Sequence, residues 1–174
     1  MTISPEMDDP LPPLRPTLAW MLASPARIIA CGFGSGLIRP APGTWGTLFG
    51  WVTFVLLAPH VPGLWRLGAV ALAFVIGVFA CGRAGRDLGI VDHGAFVWDE
   101  VVAIWLVLVV VPPQWPAQLA AFLLFRFFDI LKPQPIRYFD RKLKSGFGVM
   151  FDDLLAALYT LLVFALYVRM FGHG

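Results

Sequence analysis

The chain has 174 residues, 59% of them hydrophobic and only 14% charged, with a formal net charge of +2. Its mean hydropathy is +0.77. Ordinary globular chains carry about a quarter charged residues, so this one cannot cover a water-facing surface, which excludes a soluble monomer, and its length supports one domain.

Residues 1–15 are rich in proline and hold Glu6, Asp8 and Asp9 ahead of the first basic residue, Arg15. A secretory signal begins with positive charge and runs into an apolar core, so this stretch is expected to be a mobile cytosolic tail. Residues 16–30 carry Trp20, Met21, Ile28 and Ile29 in a mildly amphipathic pattern interrupted by Pro25. They are expected to lie along a membrane interface as a helix. Cys31 and Cys81 have neither disulfide-framework nor paired-metal spacing and read as buried thiols. The segment GFGSGLIRPAPGTWGT follows, with Gly43 and Gly46 flanking Thr44 and Thr47. Its GxGxG is not a dinucleotide fingerprint, because no strand-helix-strand pattern surrounds it. Thr44 and Thr47 fit two readings equally, as helix caps or as phosphate binders beside exposed amides. Arg39 reads either as an aid to that loop or as a topology charge.

Five apolar stretches come next, at about 44–59, 64–81, 97–111, 116–131 and 151–171. Short turns such as HVPG and VPPQWP alternate with longer charged connectors, GRAGRDLGIVDHG and KPQPIRYFDRKLKSGFG. The fold class expected is therefore all-α: an integral membrane helical bundle of about five membrane segments, several of them short, with the interfacial helix in front. If the charged connectors face the cytoplasm, eleven basic residues lie inside (Arg15, Arg27, Arg39, Arg83, Arg86, Arg126, Lys132, Arg137, Arg141, Lys142, Lys144), leaving Arg66 and Arg169 near the far side. That asymmetry sets the orientation. Asp87, Asp92, Asp99, Glu100, Asp129, Asp140, Asp152 and Asp153 also fall on the cytoplasmic side. The chemistry is thus expected at one membrane face.

Three acidic groups mark helix ends on that face: Asp99 with Glu100 opening the third stretch, Asp129 closing the fourth, and Asp152 with Asp153 opening the fifth. Carboxylates this close to lipid need a cation. For the two pairs, capping by the helix dipole and a catalytic role are equally good accounts. Asp129 is different, since in FRFFDILKP it stands at a helix carboxyl end, where the dipole disfavours negative charge. Ion pairing with Arg126 or Lys132 is one explanation. A hard cation shared among oxygen ligands from three helix ends is the better account, and Mg²⁺ suits it because that ion also takes phosphate oxygens. Lys132 and Arg137 follow directly, held at fixed spacing by Pro133 and Pro135, and are candidates to meet a phosphate beside the metal. Arg141, Lys142 and Lys144 read as a positive-inside anchor on anionic lipid.

Missing motifs narrow the phosphate chemistry. Neither cysteine has an arginine six positions on, so no cysteine-phosphatase loop exists, and there is no D-x-D-x-T nucleophile. The four-residue aspartate spacing of CDP-alcohol phosphotransferases is absent as well. His93, in VDHGAFVWDE, is the histidine within reach of the charged face, as a loop hydrogen bonder or a proton carrier.

Taken together, GFGSGLIRPAPGTWGTL, VWDEVVAIW and FRFFDILKPQPIRYFDRKLKSGFGVMFDDLLAALYT resemble the phosphatidylglycerophosphatase A family of bacterial lipid phosphatases over about residues 30–167. The resemblance implies an all-helical core and Mg²⁺-dependent hydrolysis of phosphatidylglycerophosphate to phosphatidylglycerol and inorganic phosphate, at the cytoplasmic face of the inner membrane. It aligns Asp99 and Glu100 with a WDE block and Asp152 and Asp153 with a DD block. Asp129, Lys132, Pro133, Arg137 and Asp140 fall in an FD-KP-PIR-D block. The family loop does not demand a basic residue at the position of Arg39.

The expected site then has Asp99, Glu100, Asp129, Asp152 and Asp153 as catalytic and metal-binding groups. Lys132, Arg137, Thr44 and Thr47 would bind phosphate, with Asp140, Gly43, Gly46 and Pro133 in support. The nucleophile is either a water or a carboxylate. Expected partners are a phospholipid, the membrane and a second copy, which the small face of Ala156, Ala157 and Thr160 could pack; nucleic acid is not among them. Two rivals stand beside this reading: a metal-dependent phosphatase of another lipid or of a prenyl phosphate, and a non-enzymatic cation- or lipid-binding membrane protein. The second is disfavoured by carboxylates confined to one face, because transport needs ionisable groups across the bilayer.

Overall fold

A computed structural model describes residues 15–171. The predicted tail therefore lies almost wholly outside the described residues. Eight helices follow in order: α1 Leu18–Leu22, α2 Pro25–Ala30, α3 Pro42–Leu57, α4 Gly63–Leu88, α5 Trp98–Val110, α6 Trp115–Leu131, α7 Ile136–Lys142 and α8 Gly146–Phe171. Two 3₁₀ turns, Gly32–Leu37 and Ala58–His60, flank α3, and no strand occurs among the described residues. All five apolar stretches are helices.

Several boundaries differ from expectation, each for a local reason. Residues 16–30 form two short helices, because Pro25 has no N–H to continue the first and its fixed φ starts the second at its first position. Thr17 caps α1 by accepting the Trp20 N–H at 3.1 Å. Half of the first charged connector is helical: α4 runs on through Arg83 and Arg86 to Gly89, whose left-handed φ of 73° stops it. The second charged connector contains α7. It also holds the start of α8 at Gly146, with Ser145 Oγ accepting the Gly148 N–H at 3.3 Å. Asp152 and Asp153 consequently lie about 9 Å along α8 from its first residue, inside the helix rather than at its opening. The dipole account does not reach them.

Helix α5 is the hub, packed against α3, α4 and α8, with Val101, Ile104 and Val107 completely buried. Indole N–H groups tie it and its neighbours together: Trp98 to the Ala73 carbonyl of α4 at 3.0 Å, Trp105 to the Gly50 carbonyl of α3 at 2.8 Å, and Trp51 of α3 to Gln118 of α6 at 2.8 Å. In an apolar surrounding such bonds and close van der Waals packing hold helices together, since burial from lipid supplies little. Gly46 allows the α3–α5 approach, because a Cβ there would stand 2.5 Å from that of Val97. Cys31 and Cys81 are both buried and unbridged.

Helices α4 and α8, each of 26 residues and so about 39 Å long, are long and apolar enough to cross a membrane. Only 28% and 39% of their most apolar windows are buried, unlike the core helix of a water-soluble protein. Leu64, Trp65 and Phe79 on α4 are 84%, 73% and 73% exposed, an apolar surface of the kind that meets a membrane or a protein partner. The start of α3, the start of α5, the end of α6 and the first turns of α8 converge at one end of the bundle, joined by the contacts described next.

Candidate active site

At that end Asp99 and Glu100 occupy the first turn of α5 and Asp153 projects from α8. One oxygen from each of the three lies within 4.8 Å of the others. Asp99 is 8% exposed and Asp153 3%. Asp99 Oδ1, Glu100 Oε2 and Asp153 Oδ2 are buried with no hydrogen-bond partner, as is Asp152 Oδ1. The α5 dipole favours charge on Asp99 and Glu100 but offers nothing to Asp153. Three converging carboxylates with orphaned, buried oxygens are a costly arrangement unless a cation joins them. An all-oxygen donor set of this kind fits a hard divalent ion.

Two cationic side chains flank the set, each already engaged. Arg126 pairs with Asp129 and stands 3.8 Å from Glu100 Oε1 and 3.4 Å from Thr47 Oγ1. Lys132 Nζ pairs with Asp152 and with Asp140 at 2.9 Å. Lys132 ends α6 with a φ of 43°, in the left-handed region where glycine is usual, and its ammonium bridges α7 and α8 from that position. Burial opposes its charge, but Asp152 and Asp140 outweigh that and hold its pKa above the usual lysine value. Burial likewise opposes the Asp140 charge, and Lys132 reverses the balance, keeping that carboxyl below its usual range.

Asp129, then, is not one of the three converging carboxylates. It takes the ion-pair partner the sequence offers, Arg126. Asp152 is held by Lys132 while its neighbour Asp153 joins Asp99 and Glu100. Arg137 is exposed and donates to the Leu131 carbonyl at 3.1 Å, closing the end of α6 without touching a carboxylate. Pro133 accepts the Arg137 N–H and so shapes the turn into α7. Thr47 is fully buried and donates to the Gly43 carbonyl at 2.8 Å, whereas no side-chain hydrogen bond involves Thr44. His93 Nδ1 accepts the Ala95 N–H at 3.1 Å, as a loop hydrogen bonder does. Burial first and Arg39 second lower its pKa, so it is neutral at pH 7.

Gly43 touches the site directly, since a Cβ there would collide with Glu100 Oε1 and stand 3.1 Å from both Nη atoms of Arg126. Both neighbours are ends of flexible chains, able to move aside. Gly43→Ala should therefore cost little stability but displace Glu100 and Arg126, lowering turnover about tenfold to a hundredfold. A thermal melt beside an initial-rate assay checks this, and a large loss of melting temperature with normal specific activity would contradict it.

Sequence reasoning gave Arg126 two roles, one of the basic residues that set the orientation and a counterion to Asp129. Its three-residue spacing from Asp129 was legible, but its approach to Glu100 and Thr47 depends on how α3, α5 and α6 pack.

Comparison with known proteins agrees with the motif blocks. The family model for Phosphatidylglycerophosphatase A matches residues 28–168. A Haemophilus influenzae protein named Phosphatidylglycerophosphatase A is 52% identical over 82% of this chain and 88% of its own length. The Escherichia coli protein of that name is 40% identical over 80% of this chain and 81% of its own length. A Bacteroides thetaiotaomicron protein, named for a proposed phosphatidylinositol-3-phosphatase activity, is 38% identical over 79% of this chain and 90% of its own. No solved structure matches significantly.

Proposed function

Because the chain belongs to the phosphatidylglycerophosphatase A family of phosphatases, we propose that it hydrolyses phosphatidylglycerophosphate to phosphatidylglycerol and inorganic phosphate, using Mg²⁺, at the cytoplasmic face of a bacterial inner membrane. The observation that carries the chemistry is the set of three buried carboxylates with unpartnered oxygens, Asp99, Glu100 and Asp153. These would hold the ion. When bound, it supplies charge neutralisation for the phosphate of a monoester whose loose transition state asks mainly for positioning and electrostatics.

The chain's own residues have distinct tasks in this reading. Arg126 keeps Asp129 and Glu100 in place, and Lys132 does the same for Asp152 while tying α7 to α8. Five membrane segments, α3 to α6 and α8, sit in the bilayer, with α1 and α2 along its inner surface. Arg27 of α2 supports that arrangement, bonding Asp87 of α4 at 3.0 Å and stacking over Trp20 of α1 at 4.5 Å. The basic residues gathered at the site end match cytoplasmic orientation. Substrate acyl chains stay in the bilayer while the headgroup meets the carboxylates just beneath its surface.

The name of the Bacteroides relative favours a second reading, a different phosphorylated lipid as substrate. One experiment separates them: phosphate release from phosphatidylglycerophosphate, phosphatidylinositol 3-phosphate and phosphatidic acid by purified full-length chain, with Mg²⁺ and with EDTA. Release from phosphatidylglycerophosphate alone, abolished by EDTA and restored by Mg²⁺, is expected. Preference for another lipid, or activity indifferent to EDTA, would overturn the corresponding part.

A further inference from the structure

Arg126 is more than a counterion. Its side chain is 14% exposed, and its bonds to Asp129 and Thr47, with the approach to Glu100, all use Nη1. Nε is buried with no partner at all, and Nη2 makes no hydrogen bond. A guanidinium N–H buried without an acceptor is destabilising, and neutralising Asp129 needs only one charge, which an ammonium provides equally well. What a guanidinium adds is the planar Nε–Nη2 edge, two parallel donors spaced for two oxygens of one oxyanion. In Arg126 that edge is the unused one.

Its surroundings suit a ligand with oxygen acceptors. Through Glu100 the guanidinium borders the three-carboxylate set, and Gly43 of α3, having no Cβ, lets Glu100 Oε1 and both Nη atoms approach that helix closely. The other candidate cations are less available. Lys132 commits two of its three donors to Asp140 and Asp152, and Arg137 is turned to the Leu131 carbonyl on the exposed side.

We propose that the Nε–Nη2 edge of Arg126 receives a phosphomonoester dianion, the terminal phosphate of the lipid before hydrolysis and inorganic phosphate after it. The identity of the lipid rests on the function proposed above; the anion site does not.

The test uses full-length chain in phosphatidylcholine nanodiscs with Mg²⁺, as wild type, Arg126→Lys and Arg126→Gln. Inorganic phosphate binding is measured by calorimetry, kinetics on phosphatidylglycerophosphate give kcat, KM and inhibition by inorganic phosphate, and melting without phosphate reports folding. Arg126→Lys keeps the charge and loses the fork, so phosphate binding and inhibition should both weaken at least about tenfold and KM rise similarly, at nearly unchanged melting temperature. Arg126→Gln, which retains an N–H donor for Asp129, should show the same loss, and decides the matter if the lysine variant is unfolded. Wild-type affinity for phosphate in either folded variant, no binding by wild type, or weakened phosphate binding with unaltered kinetics on the lipid would each overturn the proposal. Absence of turnover on phosphatidylglycerophosphate by wild type counts instead against the function above, and calorimetry with inorganic phosphate then still decides for or against Arg126.

Discussion

Asp153→Asn lowers phosphate release from phosphatidylglycerophosphate by about a hundredfold to a thousandfold, the scale on which removing one preorganised electrostatic group acts, and leaves the fold at least as stable in EDTA. The two halves of that expectation share a cause. Asp153 is buried seven residues into α8, facing Asp99 and Glu100 without a partner for Oδ2. Asn has the same shape, so packing is retained while a repelling charge is removed. A group kept for stability would behave oppositely, because its loss would lower the melting temperature. Rates at saturating lipid, together with melts in EDTA and in Mg²⁺, distinguish the cases. Mg²⁺ should raise the wild-type melting temperature and raise that of Asp153→Asn much less, by mass action on a weakened site. Full activity in the variant, or a melting temperature several degrees lower in EDTA, would refute the assignment.

Lys132→Met has the opposite signature. It strips the cation from Asp152, 5% exposed, and from Asp140 on the neighbouring helix. Breaking a fully buried pair costs about 3–5 kcal/mol. The lysine side chain is 26% exposed, so about 1–3 kcal/mol is the discounted figure here. The pH dependence follows from the shifts. Asp140 has a folded pKa below its unfolded value near 3.9, so its contribution is complete above that value and lost as pH falls through the lower folded one. Lys132 has a folded pKa above its unfolded value near 10.4, so its contribution is complete below that value and lost as pH rises through the higher folded one. The stability gap between wild type and Lys132→Met should be largest near neutral pH and shrink in acid, down to about pH 3. Denaturation midpoints across that range measure it; a gap that widened below pH 4 would exclude the ion-pair account.

These contrasting signs show how differently parts of this protein were legible. The apolar stretches, their number and the gathering of charge at one end follow from composition and order, because a residue's transfer cost into lipid is a local property. Motif spacing likewise singled out Asp99, Glu100, Asp129, Lys132 and the Asp152–Asp153 pair. Spacing could not say which of two adjacent aspartates turns toward Asp99, since neighbours on a helix point about 100° apart and the start of α8 sets the phase. That start, five residues earlier than the hydropathy suggested, is a capping event at Ser145 with a weak sequence signal. Helix α7 was hidden for a related reason, being seven mostly polar residues whose charges read as a loop.

Alone, then, the sequence determined an all-helical chain of long apolar segments with its carboxylates at one end and the blocks of its family, all consequences of residue type and order. Only the packing of α3, α5, α6 and α8 decided that Asp153 joins Asp99 and Glu100, that Lys132 holds Asp152, and that Arg126 keeps one edge free. Such pairings join residues up to 79 positions apart, such as Thr47 and Arg126. They depend on how closely helix backbones approach, a property of contacts between segments that no single segment contains.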